Sequence, residues 1–272
     1  MYFLPMFVQK FLSRQMLRKV PEITALFWII KLLTTAMGES TSDFMVHHMD
    51  PVVAVSIGFI AFLIAIVLQF WARKYVAWIY WLAVTMVAVF GTMAADVVHI
   101  ALGVPYLVST IGFAIALTII FFLWYKVEHT LSIHSISTPR REIFYWATVM
   151  ITFAMGTATG DMTAITLNLG YLSSGILFAV LFALPLLAHK VFKVNEVATF
   201  WLAYIFTRPL GASFADWFGR TQDMGGIGFG TGRTSIVLTL LIILFVVYIS
   251  IKNHSNQQTQ KTSHTQNSSG SL

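Results

Sequence analysis

The chain has 272 residues, of which 57% are hydrophobic, 15% aromatic and 10% charged, with a mean hydropathy of +0.77. A soluble domain carries about 25% charged residues, so the composition excludes one and places the chain among integral membrane proteins. The absence of cysteine excludes a disulfide framework, a thiolate nucleophile, a zinc ribbon and an iron–sulfur centre, and the formal charge of +6 raises nucleic acid or anionic lipid as partners until the basic residues are located.

The first twenty residues place Phe3, Phe7 and Phe11 four apart, and Lys10, Arg14 and Arg18 four apart on another face. That pattern reads as an amphipathic segment lying on a membrane surface, and the stretch lacks the cleavage site of a signal peptide. Apolar stretches of about 20 residues follow at roughly 22–46, 52–72, 76–100, 104–125, 143–167, 170–190, 197–218 and 233–251. The expected fold class is an all-α membrane protein with eight transmembrane helices. With the N-terminus inside, thirteen of the seventeen Lys and Arg fall in cytoplasmic segments, Arg220 and Arg233 fall on the opposite side, and Lys31 and Arg208 lie within spans. This bias predicts that both termini are cytoplasmic. It also accounts for the basic charge by topology, with no role for nucleic acid. The last segment, 253–272, is rich in Ser, Gln, Thr and Asn, too polar to pack, and expected to be disordered.

The odd-numbered spans share one pattern. Trp28, Gly38 and Asp43 are separated by ten and five residues, and Trp81, Gly91 and Asp96, Trp146, Gly156 and Asp161, and Trp201, Gly211 and Asp216 repeat both intervals. An aromatic residue precedes each tryptophan: Phe27, Tyr80, Tyr145 and Phe200. The membrane domain, 21–252, is therefore expected to be four helical hairpins of about 21–74, 75–128, 140–193 and 194–252, all entering the membrane in the same sense.

With this pattern the chain resembles a family of bacterial integral membrane proteins of unknown function, built from four tandem two-helix repeats, each with a characteristic tryptophan. The resemblance covers about residues 20–252 and is most specific over TRPLGASFADWFGRTQDMGGIGFGTG, Thr207 to Gly232. It implies eight spans, four repeats and a bacterial inner membrane. It implies no mechanism.

Read as chemistry, the tryptophans suit the headgroup level, where indole rings concentrate. The glycines, in the company of Ala36, Thr92, Thr157, Ala158, Ala212 and Ser213, suit close helix packing. Asp43, Asp96, Asp161 and Asp216 are expected at one depth, as a ring of carboxylates. An Asp in hydrocarbon is costly and faces a bundle interior or an aqueous cavity, and the C-terminal end of a helix, where these lie, disfavours negative charge. Lys31 and Arg208 have no charged counterparts in the other repeats and are expected to serve as counter-ions or as an internal gate, with Glu39 as a further carboxylate or relay. Asp43, Met45, His47, His48, Met49 and Asp50 cluster in sequence, and His99 follows Asp96, so His47, His48 and His99 are candidate ligands for a divalent metal such as Mn²⁺, Co²⁺, Ni²⁺ or Zn²⁺. GGIGFGTG, Gly225 to Gly232, lacks the Lys–Ser/Thr ending of a phosphate-binding loop and reads as a tight or lid-like connector.

Rings of carboxylates make cation paths selective. The sequence therefore points to a transporter or channel for a small cation, a divalent metal ion or one coupled to protons, with that ion as substrate. Two other readings stay open: an intramembrane enzyme using carboxylates and histidines as metal ligands or acid and base, and a non-catalytic assembly subunit.

Overall fold

The computed structural model describes residues 18–269, with side chains as far as residue 252. The amphipathic reading of the N-terminus therefore lies largely outside the described residues. Eight long helices are present among them: α1 (Ala25–His48), α2 (Pro51–Trp71), α3 (Ala77–Asp96), α4 (Tyr106–Glu128), α5 (Pro139–Asp161), α6 (Tyr171–Phe192), α7 (Glu196–Gly219) and α8 (Thr231–Ser269). There is no strand among the described residues. Helices α3 and α5 continue as single π-turns, Val97–Ala101 and Met162–Thr166, directly after Asp96 and Asp161.

Local chemistry sets the helix starts. The hydroxyl of Thr24 accepts from Phe27 N–H, Asp50 accepts from Val52 and Val53 N–H ahead of Pro51, Thr138 accepts from Arg141 N–H ahead of Pro139, and Asn195 accepts from Val197 and Ala198 N–H. Each satisfies orphan donors of a first turn, and a proline at the first helical position loses no bond.

Six of the helices are long and apolar enough to cross a membrane; α8 is one of them over Thr231–Lys252. The other two, α1 and α7, carry Lys31, Glu39 and Asp43, and Glu196, Arg208 and Asp216. Packing explains how such helices are accommodated. Helices α1, α3, α5 and α7 form a closed inner ring, each touching the next and α7 touching α1. The outer helices are displaced by one repeat: α2 packs mainly on α3, α4 on α5, α6 on α7, and α8 closes the circle on α1. The outer helices turn a continuous apolar face outward, among them Val52, Ile60, Val67, Ile119, Val180 and Leu244, as lipid contact requires.

Two sets of contacts repeat around the ring. A Cβ on Gly38 would strike Ala88, one on Gly91 Phe153, one on Gly156 Arg208, and one on Gly211 Thr35. In each case the glycine receives the residue seven beyond the tryptophan of the following repeat, the fourth repeat closing on the first. Aromatic pairs do the same: Phe27 meets Trp81 with ring centroids 5.7 Å apart, Tyr80 meets Trp146 at 5.7 Å, Tyr145 meets Trp201 at 6.3 Å, and Phe200 meets Trp28 at 5.7 Å. The tryptophans thus pack against the neighbouring inner helices. Trp81, Trp146 and Trp201 are buried and Trp28 half-buried, because each is held between neighbouring inner helices rather than against lipid.

Helix α8 runs on through the polar stretch to Ser269. A helix already nucleated within the bundle propagates at little cost, and no Gly or Pro stands between Arg233 and Ser269 to stop it. At the aromatic end of the ring, the stretch before α1 is tied down. Lys19 Nζ donates to Glu142 at 2.5 Å and to the Phe70 carbonyl at 3.1 Å, while Gln69 donates to the same carboxylate at 2.9 Å.

Candidate functional site

Along each inner helix, residues four apart point inward, so the four repeats stack their side chains in layers. One layer lies eleven residues beyond the tryptophans and holds Glu39, Thr92 and Thr157, with Ala212 as the fourth member. Arg208 reaches this layer from one turn earlier on α7. Its guanidinium donates to Glu39 Oε2 at 2.7 Å, to Thr157 Oγ1 at 2.8 Å, to the Thr35 carbonyl at 2.9 Å and to Thr92 Oγ1. Thr92 and Thr157 donate in turn to the same carboxylate oxygen at 3.2 and 3.4 Å. All four inner helices therefore meet at one buried ion pair, in which Arg208 and Glu39 are each 2% exposed or less. A buried pair of this kind is costly unless its remaining hydrogen-bonding capacity is met; the threonines and the Thr35 carbonyl meet much of it, while Arg208 Nε has no partner.

Two layers closer to the tryptophans, Lys31 is 1% exposed and its ammonium has no hydrogen-bond acceptor. It lies 4.0 Å from the centroid of Phe153 and 4.1 Å from that of Tyr204, a cation–π arrangement. Neither Lys31 nor Arg208 pairs with the repeated aspartates.

The aspartates do converge. Each of Asp43, Asp96, Asp161 and Asp216 has at least one other of the four among its electrostatic neighbours, and Arg220 is a neighbour of all of them. Asp43, Asp161 and Asp216 are buried and Asp96 is half-buried. Arg220 sits between two of them, Nη2 3.0 Å from Asp43 Oδ2 and Nε 3.0 Å from Asp216 Oδ1. Tyr106 and Tyr171, the first residues of α4 and α6, border the same group.

The glycine-rich connector holds Arg220 in place. Gly228 N–H donates to the Arg220 carbonyl at 2.8 Å, Ile227 N–H to that of Trp217 at 2.8 Å, and Phe229 N–H to that of Phe218 at 3.0 Å. Gly225, Gly228 and Gly230 adopt φ of 84°, 80° and 94°, which side chains disfavour, and a Cβ on Gly226 would strike the Arg220 carbonyl. The connector is folded back on the end of α7, an anchored turn with Arg220 at its root.

The histidines are not gathered with the aspartates. His47 and His48 direct Nδ1 at the carbonyls of Asp43 and Phe44 on their own helix, at 2.6 and 2.8 Å, and Asp50 is a helix cap. His99 lies on the π-turn after Asp96, 3.1 Å from the Val104 carbonyl and packed on Tyr106. Among the described residues no group of three or more His, Asp or Glu is arranged to hold a metal ion.

The structure thus places the four aspartates in one group and Arg208 with Glu39 in another, with Lys31 apart from both. It also brings in Arg220, Thr92 and Thr157, which the sequence reading left out. Two signals pointed to them: Arg220 is one helical turn after Asp216, and Thr92 and Thr157 occupy the repeat position of Glu39.

A family model described as Repeat of Unknown Function (DUF347) matches residues 26–75, 79–130, 144–195 and 199–254. No curated protein and no solved structure matches the chain.

Proposed function

We propose that this chain, which belongs to the DUF347 repeat family, is a carrier for a small cation, with Asp43, Asp96, Asp161 and Asp216 as its binding site. On this reading it crosses the bacterial inner membrane eight times as four parallel repeats, with both termini cytoplasmic. The circular glycine and aromatic contacts support the parallel arrangement, because equivalent residues meet at one level only if the inner helices run in the same sense. The excess of Lys and Arg on one side supports the orientation.

One observation carries the function: the guanidinium of Arg220 is paired with Asp43 and Asp216 from two repeats, with Asp96 and Asp161 of the other two within electrostatic range of it. Charged residues within a membrane face cavities and ion paths, and a cluster that already accommodates one tethered cation is chemically suited to another. Arg220 then acts as a resident stand-in that the substrate displaces. The Arg208–Glu39 layer closes the ring axis beyond the aspartates, which favours a carrier that opens alternately over a standing pore.

The test is flux of a cation panel, Mn²⁺, Co²⁺, Ni²⁺, Zn²⁺, Mg²⁺, Na⁺ and H⁺, into proteoliposomes containing the intact protein or the Asp96→Asn plus Asp161→Asn variant. The expected result is entry of at least one ion and a loss of about tenfold or more in the variant, equivalent to about 1.4 kcal/mol or more. Equal flux in both preparations, or none with the intact protein, would sink the proposal.

A further inference from the structure

The aromatic end of the ring is covered by chain that belongs to none of its helices. Residues 18–24, before α1, form neither helix nor strand, and they do not stay beside α1. Ile23 lies with Val197 and Phe200 at the start of α7 and with Leu131 and Ile133 of the α4–α5 connector. Further back, Lys19 N–H donates to the Ile136 carbonyl at 3.1 Å, and Tyr75 N–H donates to the Arg18 carbonyl at 2.8 Å. The Lys19 ammonium is held by Glu142, in the first turn of α5, and by the Phe70 carbonyl at the end of α2. Gln69 completes the cluster by donating to Glu142 and, at 3.4 Å, to the Lys19 carbonyl. The ring runs α1, α3, α5, α7, so α5 stands opposite α1, and the segment crosses the mouth between them.

The connector beneath it breaks the symmetry of the repeats. At this end α2 and α3 are joined by residues 72–76 and α6 and α7 by 193–195, but α4 and α5 by 129–138. Ile133 and Ile136 of that longer connector are buried, as is Val20 of the segment. All three belong to one cluster with Phe27, Tyr80, Tyr145 and Phe200 of the aromatic layer.

We propose that residues 18–24 are a releasable latch over this mouth, with Lys19 and Glu142 as its catch. The inference rests on the carrier reading: a carrier parts its inner helices at this end to pass on the cation held at the other, and a tie between opposite helices has to let go first. The chemistry suits a catch. Lys19 and Glu142 are 6% and 0% exposed, and two charges taken out of water gain little net energy by pairing. Opening returns both to water, so the ion pair fixes where the segment seats while adding little to the cost of release. Between the catch and α1, Pro21 and Ile23 are half-buried and Glu22 and Thr24 exposed, so this stretch has few contacts to break.

Two measurements test the latch, both in a chain that has no cysteine of its own. In detergent, Ile136→Cys places a thiol at a position 0% exposed whose carbonyl accepts from Lys19. Maleimide labelling should be slow in that background and about tenfold faster or more once Lys19→Met or Glu142→Gln is added, because labelling follows the open population. Ala54→Cys, buried at the far end of α2, should stay slow with either substitution. Unchanged labelling of Ile136→Cys, or equal acceleration at Ala54→Cys, would overturn the latch. In proteoliposomes, Lys19→Cys with Glu142→Cys is joined by a bifunctional methanethiosulfonate and given the same cation panel. Cross-linking should cut flux about tenfold or more and reduction should restore it, whereas a monofunctional reagent should not reproduce the loss. Flux undiminished by the cross-link would overturn the latch and leave the carrier reading intact. No cation flux through the intact protein, with labelling of Ile136→Cys that still responds to both substitutions, would sink the carrier reading and support the latch.

Discussion

At the scale of single residues, the ion pair between Arg208 and Glu39 is the point on which four helices agree. Removing one partner strands the other charge out of water, which costs about 3–5 kcal/mol, whereas replacing both with apolar groups is often neutral. Glu39→Gln should therefore lower the unfolding free energy by roughly that amount, and Arg208→Met combined with Glu39→Met should recover most of the loss, as read by thermal unfolding in detergent. Arg220 is a different case, half-buried and in contact with two carboxylates. On the carrier reading Arg220→Gln removes the resident competitor, so the KM for the transported cation should fall, on the order of tenfold, with little change in folding. Much of this site was legible in the sequence, since intramembrane charges are few and the repeat aligns the aspartates. Their partners were not, because a charge in a helix reaches whichever neighbour packing presents, and Arg220 lay beyond the end of an expected span.

At the scale of helices, the glycines do the joining. Gly38, Gly91, Gly156 and Gly211 each receive a side chain from the next inner helix so closely that a Cβ would overlap it, and overpacking costs about 1–3 kcal/mol per site. Gly156→Ala and Gly211→Ala should each destabilise the protein by at least that much. Gly112→Ala on α4, where a Cβ meets nothing within 4 Å, should be neutral or slightly stabilising, since Ala exceeds Gly in helix propensity. Fluorescence-detected size exclusion after graded heating distinguishes the two outcomes. The apolar runs revealed the outer helices in full, and the equal intervals revealed the inner ones. The order in which they pack was not visible: nothing in a linear pattern says that α2 leaves its own hairpin partner to cover α3.

At the scale of the whole molecule, the ring has two distinct ends, one of tryptophans and tyrosines and one of aspartates. The chain has no cysteine, so single cysteines report sidedness without background. Lys74→Cys at the aromatic end and Gln222→Cys at the aspartate end are both exposed positions. In intact cells an impermeant maleimide should label Gln222→Cys and leave Lys74→Cys unlabelled until the membrane is opened; the reverse result would invert the proposed orientation.

Composition alone determined that this is a membrane protein of long helices, because the hydrophobic content leaves no other solvent for it, and self-similarity alone determined that it is built four times over. Those are properties of residue type and interval, which a linear chain records directly. Tertiary structure decided that the repeats close into a ring, that the tryptophans pack between helices, and that Arg208 pairs with Glu39 while Arg220 pairs with Asp43 and Asp216. Each of these depends on which faces meet across the circle. A glycine states only that something comes close; the fold decides that it is the next repeat, and in doing so carries the charges to their partners.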